Sequence, residues 1–287
     1  MRHVKFKFAL NSSTLFPFNL NILEQIRIAT EAGYDGIELW MKDIVTFLES
    51  GGSLRELRDC ITDHGISLVN TITFFNWSDE DEQRMKEGLK EAKEEMRILK
   101  EIGSRAVAAP PCENMENLSL AEIADHFVTL TTLSEQIGLD VYLEFWGHAK
   151  KLATLSEAMF IALESGLPNV KFLLDTFHMY KGGSSFDNLA YLKRENIGIF
   201  HVNDYPKYPT RNQITDRERL FPGDGVITTE KVVSYLENIN YQGYLSLELF
   251  MESFENQTPT AVAAYGLKKN ETGISRKISG GINPPTD

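Results

Sequence analysis

Short β-rich runs and amphipathic helical segments alternate along almost the whole chain. Eight runs are rich in β-branched and aromatic residues, and apolar residues recur at helical spacing between them. The runs are VKFKFAL (4–10), DGIELW (35–40), ISLVNTITF (66–74), RAVAAP (105–110), DVYLEF (140–145), VKFLLD (170–175), IGIFHV (197–202) and YLSLEL (244–249). Repeated strand–helix units with short connections predict a parallel sheet covered by helices, and eight of them predict a closed (β/α)8 TIM barrel in a single domain.

Capping signals mark the start of two predicted helices. Ser119 is followed three residues later by Glu122, and Thr154 by Glu157, which is the spacing of a capping box. An open doubly wound sheet is the alternative fold, but no glycine-rich phosphate motif follows the first β-rich run. The alternation therefore favours the barrel.

No change of composition marks a second domain. We expect the barrel to span residues 1–274, with a weakly patterned last helix that starts near Thr258. Residues 275–287, SRKISGGINPPTD with the glycines and prolines of their second half, are expected to form a flexible tail.

Charge and composition exclude several classes of partner. The 287-residue chain has a formal net charge of −12, which argues against binding to nucleic acid or to an anionic membrane. No window resembles a membrane span, and the apolar run at the N-terminus is too short for a signal peptide. Cys60 and Cys112 are far apart and lack other ligands at metal-binding spacing. These features predict a cytoplasmic protein with two reduced thiols, and they leave a homo-oligomer open.

Polar residues end the last four predicted strands. Glu144 stands in YLEFWGH, Asp175 in LLDTFH, His201 in IFHVND and Glu248 in LSLELF, each among large apolar residues. Active sites of such barrels lie at the carboxyl ends of the strands, where consecutive strands stand side by side. We therefore expect these four side chains to converge at one cavity mouth.

Three carboxylates in one apolar cavity repel one another by several kcal/mol per pair, even at an effective dielectric constant near 20. A cation among them removes this repulsion, so the pattern predicts one bound divalent metal ion. Carboxylate oxygens with one imidazole suit Mn, Co, Zn or Mg, and the sequence does not choose among them.

Two further features lie near the predicted site. His178 follows Asp175 by three residues and could either support a metal ligand or contact a substrate hydroxyl. The segment 205–228 is longer than an ordinary barrel loop and holds Arg211, Arg217 and Arg219 before a Pro-Gly-Asp-Gly turn. Long loops at the catalytic face are often lids or binding loops, and its arginines could orient an oxygenated substrate.

The motifs LEFWGH, LDTFH, FHVND, DRERLFPGDG and LSLELF together resemble those of the xylose-isomerase-like sugar isomerase/epimerase superfamily. Within it, the chain is most similar to the bacterial inosose (2-keto-myo-inositol) isomerases of inositol catabolism. The likeness runs from residue 4 to about residue 255, and the chain departs from it beyond that point. It implies a TIM barrel with one divalent ion held by Glu144, Asp175, His201 and Glu248.

The resemblance also implies an activity. The reaction would transfer a proton between adjacent carbons of a cyclic polyol ketone or ketose through an enediolate, with Glu144 and Glu248 on opposite sides of the substrate. The residues do not tell which of the two is the base. His178 and Arg219 are the candidates for binding substrate hydroxyl groups.

Other reactions fit the same ligands. A dehydratase acting on an inosose or on 3-dehydroshikimate, and a ketose 3-epimerase, are the near alternatives. A DNA-repair enzyme of the endonuclease IV type is a remote one, because it needs three metals and additional histidines. A sugar-binding barrel without catalysis is a further alternative.

Overall fold

The computed structural model describes residues 6–227 and 229–275. Within them eight strands form a closed parallel barrel in the order of the sequence, which confirms the predicted TIM-barrel fold. The strands are β1 (Lys7–Asn11), β2 (Gly36–Trp40), β3 (Ser67–Ile72), β4 (Ala106–Ala109), β5 (Asp140–Glu144), β6 (Lys171–Asp175), β7 (Ile197–Val202) and β8 (Tyr244–Leu247). Residues 276–287 of the predicted tail lie outside the described residues, and the domain boundary stays a prediction.

The helices surround the barrel. They are α1 (Ile22–Ala32), α2 (Met41–Glu49), α3 (Leu54–Asp63), α4 (Glu82–Glu101), α5 (Leu120–Ile137), α6 (Leu155–Glu164), α7 (Thr176–Gly182), α8 (Thr229–Asn238) and α9 (Pro259–Ser275). No helix in residues 6–227 and 229–275 is both long and apolar enough to cross a bilayer.

The predicted capping boxes are present. Ser119 and Glu122 bond reciprocally at the start of α5, and Thr154 and Glu157 do so at the start of α6. A third box, between Asn21 and Glu24, opens α1 and follows the same physical rule with an asparagine cap.

Two helices were not anticipated from the pattern. Helices α2 and α7 begin directly after their strands, with no connecting loop. Asp175, the last residue of β6, is the N-cap of α7, and its carboxylate accepts hydrogen bonds from the backbone amides of Phe177 and His178. His178 therefore lies in the first turn of a helix rather than in a loop beyond the strand end.

The register of the strands directs the polar side chains into the barrel. Side chains alternate between the two faces of a strand, so Ser246 and then Glu248, just beyond the end of β8, follow Tyr244 on the inner face. Asp175 pairs with His201 across β6 and β7, which places both on the same inner face. An apolar layer that includes Tyr142, Leu173, Ile199 and Tyr244 fills the barrel below them.

Candidate active site

The four residues predicted as metal ligands all lie at the mouth of the barrel. Ligand atoms of Asp175, His201 and Glu248 come within 4.8 Å of one another, and all three residues are buried. Glu144 ends the neighbouring strand β5 and is 4% exposed, but it is not part of that close group in the described chain. The carboxylate of Glu144 thus lies in the same cavity at a greater distance.

Arg219 is a buried cation inside this group of acids. Its Nη1 donates to Asp175 Oδ2 at 2.6 Å and to Glu248 Oε2 at 2.8 Å, and its side chain is 1% exposed. Asp216 accepts from Nε at 3.0 Å and from Nη2 at 2.5 Å. The long loop therefore sends one arginine into the cavity, where it offsets part of the carboxylate charge that the sequence argument assigned to a metal alone.

The two ring nitrogens of His201 face different acids: Nε2 faces Glu38, and Nδ1 faces Asp175 and Glu248. Its Nε2 lies 2.9 Å from Glu38 Oε1, on β2, and both side chains are fully buried. Its Nδ1 lies 2.9 Å from Glu248 Oε2 and 3.6 Å from Asp175 Oδ2, yet out of hydrogen-bonding geometry with either. Nδ1 is thus a buried ligand atom without a hydrogen-bond partner in the described protein, directed at two carboxylates.

The charges of the cavity fit a divalent cation. Two cationic groups, Arg219 and His201, face a larger set of buried acids. These acids are Glu38, Glu144, Asp175 and Glu248. Burial lowers the pKa of His201, but Glu248 and Glu38 raise it well above its ordinary value, so in the absence of a metal the ring is a second cation. As a metal ligand its Nδ1 gives up that proton, and a divalent ion would supply the positive charge in its place. Together with the unpartnered Nδ1, this donor set suits Zn, Mn or Co, with Mg less well matched to an imidazole ligand.

The pKa values of the buried acids are shifted in different directions. Burial raises the pKa of Glu144 to about 8, and although His201 opposes this shift, Glu248 and Asp175 add to it. Burial also raises the pKa of Glu248, against the influence of His201 and Arg219. Burial would raise the pKa of Asp175 as well, but Arg219 and then His178 hold it well below its usual range. Asp175 is therefore the fixed carboxylate, whereas the two glutamates are able to carry a proton.

His178 lies beside Arg219 rather than among the close ligand atoms. Its Nε2 is 3.2 Å from Arg219 Nη2, and burial lowers its pKa to about 3 against the opposing effect of Asp175. Because the guanidinium can only donate, Nε2 accepts and the proton of the neutral ring lies on Nδ1. That Nδ1 has no hydrogen-bond acceptor among the described residues, so it is available to a bound molecule.

The loop that carries Arg219 is folded around Asp204. The carboxylate of Asp204 accepts from the backbone amides of Tyr205, Gly223 and Ile227. The backbones of Asp204 and Leu220 form an antiparallel bridge, which fixes the residue next to Arg219. The loop is thus held at both ends of the segment that enters the cavity, in contrast to Arg217, which pairs with Glu252 at the surface.

Aromatic side chains form a rim around the cavity. Trp40 contacts Phe16, Phe74 and Phe250, with ring centroids 5.2, 5.5 and 5.9 Å away. Trp146 continues the rim 6.0 Å from Phe74 and 6.3 Å from His178. Phe74 is 56% exposed, so this rim offers apolar surface at the entrance.

Sequence reasoning missed several residues of the site. Glu38 lies in the middle of β2 and Asn11 ends β1, and Asn11 donates to Glu248 Oε1 at 2.9 Å. Asn203, directly after β7, has its amide nitrogen 3.3 and 3.4 Å from the two carboxylate oxygens of Asp175. Asn11 and Asn203 are polar residues at strand ends, so the signal used for the last four strands would have found them. Glu38 has a different signal, an acid in the middle of an apolar strand.

The chain was compared with known proteins. A family model described as "Xylose isomerase-like TIM barrel" matches residues 26–270. The chain belongs to this family. Two inosose isomerases are similar to this family member. The one from Halalkalibacterium halodurans is 31% identical over 86% of this chain and 89% of the relative. The one from Bacillus velezensis is 27% identical over 94% of this chain and 98% of the relative.

A solved structure shares the fold of this xylose-isomerase-like chain. It is the IolI protein with a bound zinc atom, with a TM-score of 0.87 and 26% identity over 96% of this chain and all of that one. Other relatives carry different names. One is a 3-dehydro-D-guloside 4-epimerase from Escherichia coli, 26% identical over 84% of this chain and 91% of the relative. Another is a 3-dehydroshikimate dehydratase from Pseudomonas aeruginosa, 24% identical over 85% of this chain and 38% of the relative. Such relatives identify this family member as an enzyme.

Proposed function

We propose that this chain is a metal-dependent isomerase that moves a proton between adjacent carbons of an inosose, through an enediolate, as in inositol catabolism. The observation that carries the proposal is the placement of two buried glutamates with raised pKa. Glu144 ends β5 and Glu248 follows β8, and strands β6 and β7 with Asp175 and His201 stand between them. A ketone bound over Asp175 and His201 would have one of the two glutamates on each side.

The ligand set for one divalent ion would be Asp175, His201 and Glu248, with Glu144 completing it. When bound, such an ion supplies Lewis-acid polarisation of a ketone oxygen and of the neighbouring hydroxyl. The unpartnered Nδ1 of His201 and the convergence of the ligand atoms of Asp175, His201 and Glu248 support this assignment, as does the zinc in the similar IolI structure.

The protein groups would move the proton. One glutamate removes it from the hydroxyl-bearing carbon next to the ketone, and the other returns a proton to the former carbonyl carbon. The hydroxyl proton passes to the former carbonyl oxygen, so that the hydroxyl carbon becomes the new ketone. The Nδ1–H of His178 is a donor at the same cavity and would hold a substrate hydroxyl group. The five N–H groups of Arg219 donate to Asp175, Glu248, Asp216 and His178, so Arg219 would bind a substrate hydroxyl by exchanging one of these bonds. The aromatic rim of Trp40, Phe74 and Trp146 would exclude water from the reacting carbons.

The substrate class is supported by the rim and by the relatives. Apolar walls with a few convergent polar groups are typical of sites for small molecules. A cyclic polyol ketone presents C–H groups on its two faces and oxygens at its edge, which matches aromatic walls around a polar floor. The two similar inosose isomerases, aligned over nearly their whole length, favour an inosose over an open-chain ketose.

The test is proton exchange in D₂O. Protein supplied with Zn²⁺ or Mn²⁺ and 2-keto-myo-inositol is expected to exchange the hydrogen α to the ketone for deuterium, observed by ¹H NMR. In H₂O the same reaction is expected to yield an isomer of unchanged mass. Absence of exchange with several inososes and ketoses, with metal present, would refute the isomerase proposal.

A dehydratase is the second candidate, since a dehydratase occurs among the relatives and its reaction, an enolate that then loses a β-hydroxyl, could use the same metal ligands. Its product has lost one water, whereas the products of an isomerase or an epimerase have not. Mass spectrometry of the product separates the dehydratase from the other two, and NMR assignment of the product separates an isomerase from an epimerase.

A further inference from the structure

Glu38 is a buried acid for which the proposed reaction has no use. It lies on β2 with 0% exposure, and its carboxylate accepts from Asn70 Nδ2 at 2.8 Å and from the hydroxyl of Ser246. The Nε2 of His201 lies 2.9 Å from one of its oxygens and 3.1 Å from the other. The acid therefore has three donors around it, one from each of β3, β7 and β8.

This arrangement follows from the register of the barrel. The pairing of β2 with β3 shifts between Ile37 and Glu38, which brings Glu38 opposite Asn70. The pairing of β7 with β8 sets His201 opposite Ser246. Glu38 thus contacts side chains from the far wall of the barrel as well as from its neighbour strand.

The carboxylate dictates which nitrogen of His201 carries hydrogen. An ionised carboxylate is only an acceptor, so the nitrogen that faces it must be N–H. In the neutral ring the other nitrogen, Nδ1, then holds the lone pair, and this is the atom that lies beside Asp175 and Glu248. With the opposite proton placement, Nδ1 would point a hydrogen at the position where the ligand atoms converge.

We infer that Glu38 is a positioning residue that fixes His201 in its Nε2–H form and presents the Nδ1 lone pair to a divalent cation. The inference rests on the proposed function, because it gives His201 the role of a metal ligand. Its physical basis is the carboxylate–histidine–metal arrangement, in which the outer acid orients the ring and raises the basicity of the ligating nitrogen.

A merely structural role explains the contacts less well. Burying a carboxylate is costly, and the two neutral donors, Asn70 and Ser246, could be satisfied by a neutral acceptor. A glutamine at this position has one acceptor oxygen and one NH₂ group, so it cannot accept from three donors at once. The acid is needed if His201 is to be held as N–H toward Glu38 at the same time.

The test compares the metal affinity of Glu38→Gln with that of the wild-type protein, by competition with a chromophoric chelator for Zn²⁺. Loss of the outer acid is expected to weaken Zn²⁺ binding roughly 10- to 100-fold. Ser246→Ala, which removes another hydrogen bond from the same carboxylate and leaves His201 in place, should weaken binding less. Thr71→Val removes the buried contact of Thr71 with Ser104 and should keep the wild-type affinity.

A second measurement uses only the wild-type protein, so it does not require any variant to fold. In the zinc-loaded wild-type protein, ¹⁵N-resolved NMR of the His201 ring should show a protonated Nε2 and a metal-bound Nδ1. The reverse assignment, or equal Zn²⁺ affinity of folded Glu38→Gln and wild type, would overturn the role of Glu38 alone. Wild-type protein that binds neither Zn²⁺ nor Mn²⁺ would overturn the proposed function together with it.

Discussion

Arg219 is the residue that joins the loop to the acids of the barrel mouth. It is fully buried and contacts carboxylates from β6, from the end of β8 and from its own loop. A guanidinium with fixed, planar donors suits such a position, because it bonds to several carboxylates without shifting its own charge state. Without it, Asp175 and Glu248 would lose the guanidinium that donates to both carboxylates.

Arg219→Met is therefore expected to destabilise the metal-free protein by roughly 3–5 kcal/mol, since it leaves buried carboxylates uncompensated. Excess Zn²⁺ should recover most of this loss, because a divalent ion at the same acids replaces the missing charge. Urea unfolding with EDTA and with Zn²⁺ measures both quantities. Arg217→Met, whose side chain is 72% exposed and pairs with Glu252, is the matched control and should change the free energy of unfolding little. An equal loss in both variants would contradict the role of Arg219.

Glu248 is placed to bind a cation and to move a proton. Its Oε1 accepts from Asn11 and its Oε2 from Arg219, so its carboxylate is oriented on both sides. Glu248→Gln keeps the size of the side chain but removes its charge and its capacity to exchange a proton. We expect turnover of 2-keto-myo-inositol to fall by roughly 100-fold or more and Zn²⁺ affinity to fall with it.

The control for Glu248→Gln is Glu252→Gln, four residues further on at the surface. It should retain wild-type turnover and Zn²⁺ affinity, both measured in the same assays. Full activity of Glu248→Gln would remove Glu248 from the reaction.

The carboxylate of Asp204 anchors the loop between β7 and α8. Asp204 is fully buried and accepts from three backbone amides, two of them more than fifteen residues ahead in sequence. Gly225 is required beside it, because a Cβ there would clash with the Tyr205 carbonyl and with the Asp204 carboxylate. The position of Arg219 thus depends on Asp204, a buried residue two positions beyond the end of β7.

Asp204→Asn should loosen this loop. An asparagine replaces one acceptor oxygen by NH₂, which leaves at least one buried amide without a partner, at a cost of about 1–3 kcal/mol. We expect faster tryptic cleavage after Lys207, Arg211 or Arg217, which are exposed, and a raised KM. Asp224→Asn, at the exposed turn of the same loop, is the control. Unchanged cleavage in Asp204→Asn would show that the loop is held by other contacts.

The barrel as a whole brings the ligand set together from distant parts of the chain. Asp175, His201 and Glu248 belong to three strands and converge only when the sheet closes. A ligand that binds this arrangement and not the unfolded chain stabilises the whole molecule by mass action. Metal binding should therefore raise the free energy of unfolding of the whole protein.

We expect Zn²⁺ at about one hundred times its Kd to stabilise the protein by about 2.7 kcal/mol relative to EDTA. Differential scanning calorimetry should show this as a Tm higher by several degrees. Asp175→Asn should abolish the difference, whereas Asp63→Asn, at an exposed position on α3, should keep it. The same Tm for wild-type protein in EDTA and in Zn²⁺ would contradict a metal site at the barrel mouth.

The sequence by itself determined the barrel and where its polar strand ends would lie. Period-two alternation in runs such as LSLEL and capping boxes such as Ser119–Glu122 are local signals, and the closed parallel order follows from repeating them eight times. The same signals placed Glu144, Asp175, His201 and Glu248 at one mouth. Their roles as ligands and catalytic groups stay predictions.

Only the tertiary structure decided which atoms meet. Glu38 touches His201 because of a register shift in β2 and the curvature of the closed sheet, and Arg219 reaches Asp175 because Asp204 folds the loop back. Helix α7 begins at Asp175 without a loop, which sets His178 in a helical turn. These contacts join residues far apart in sequence, and they depend on closure and register, which no local pattern of residue types encodes.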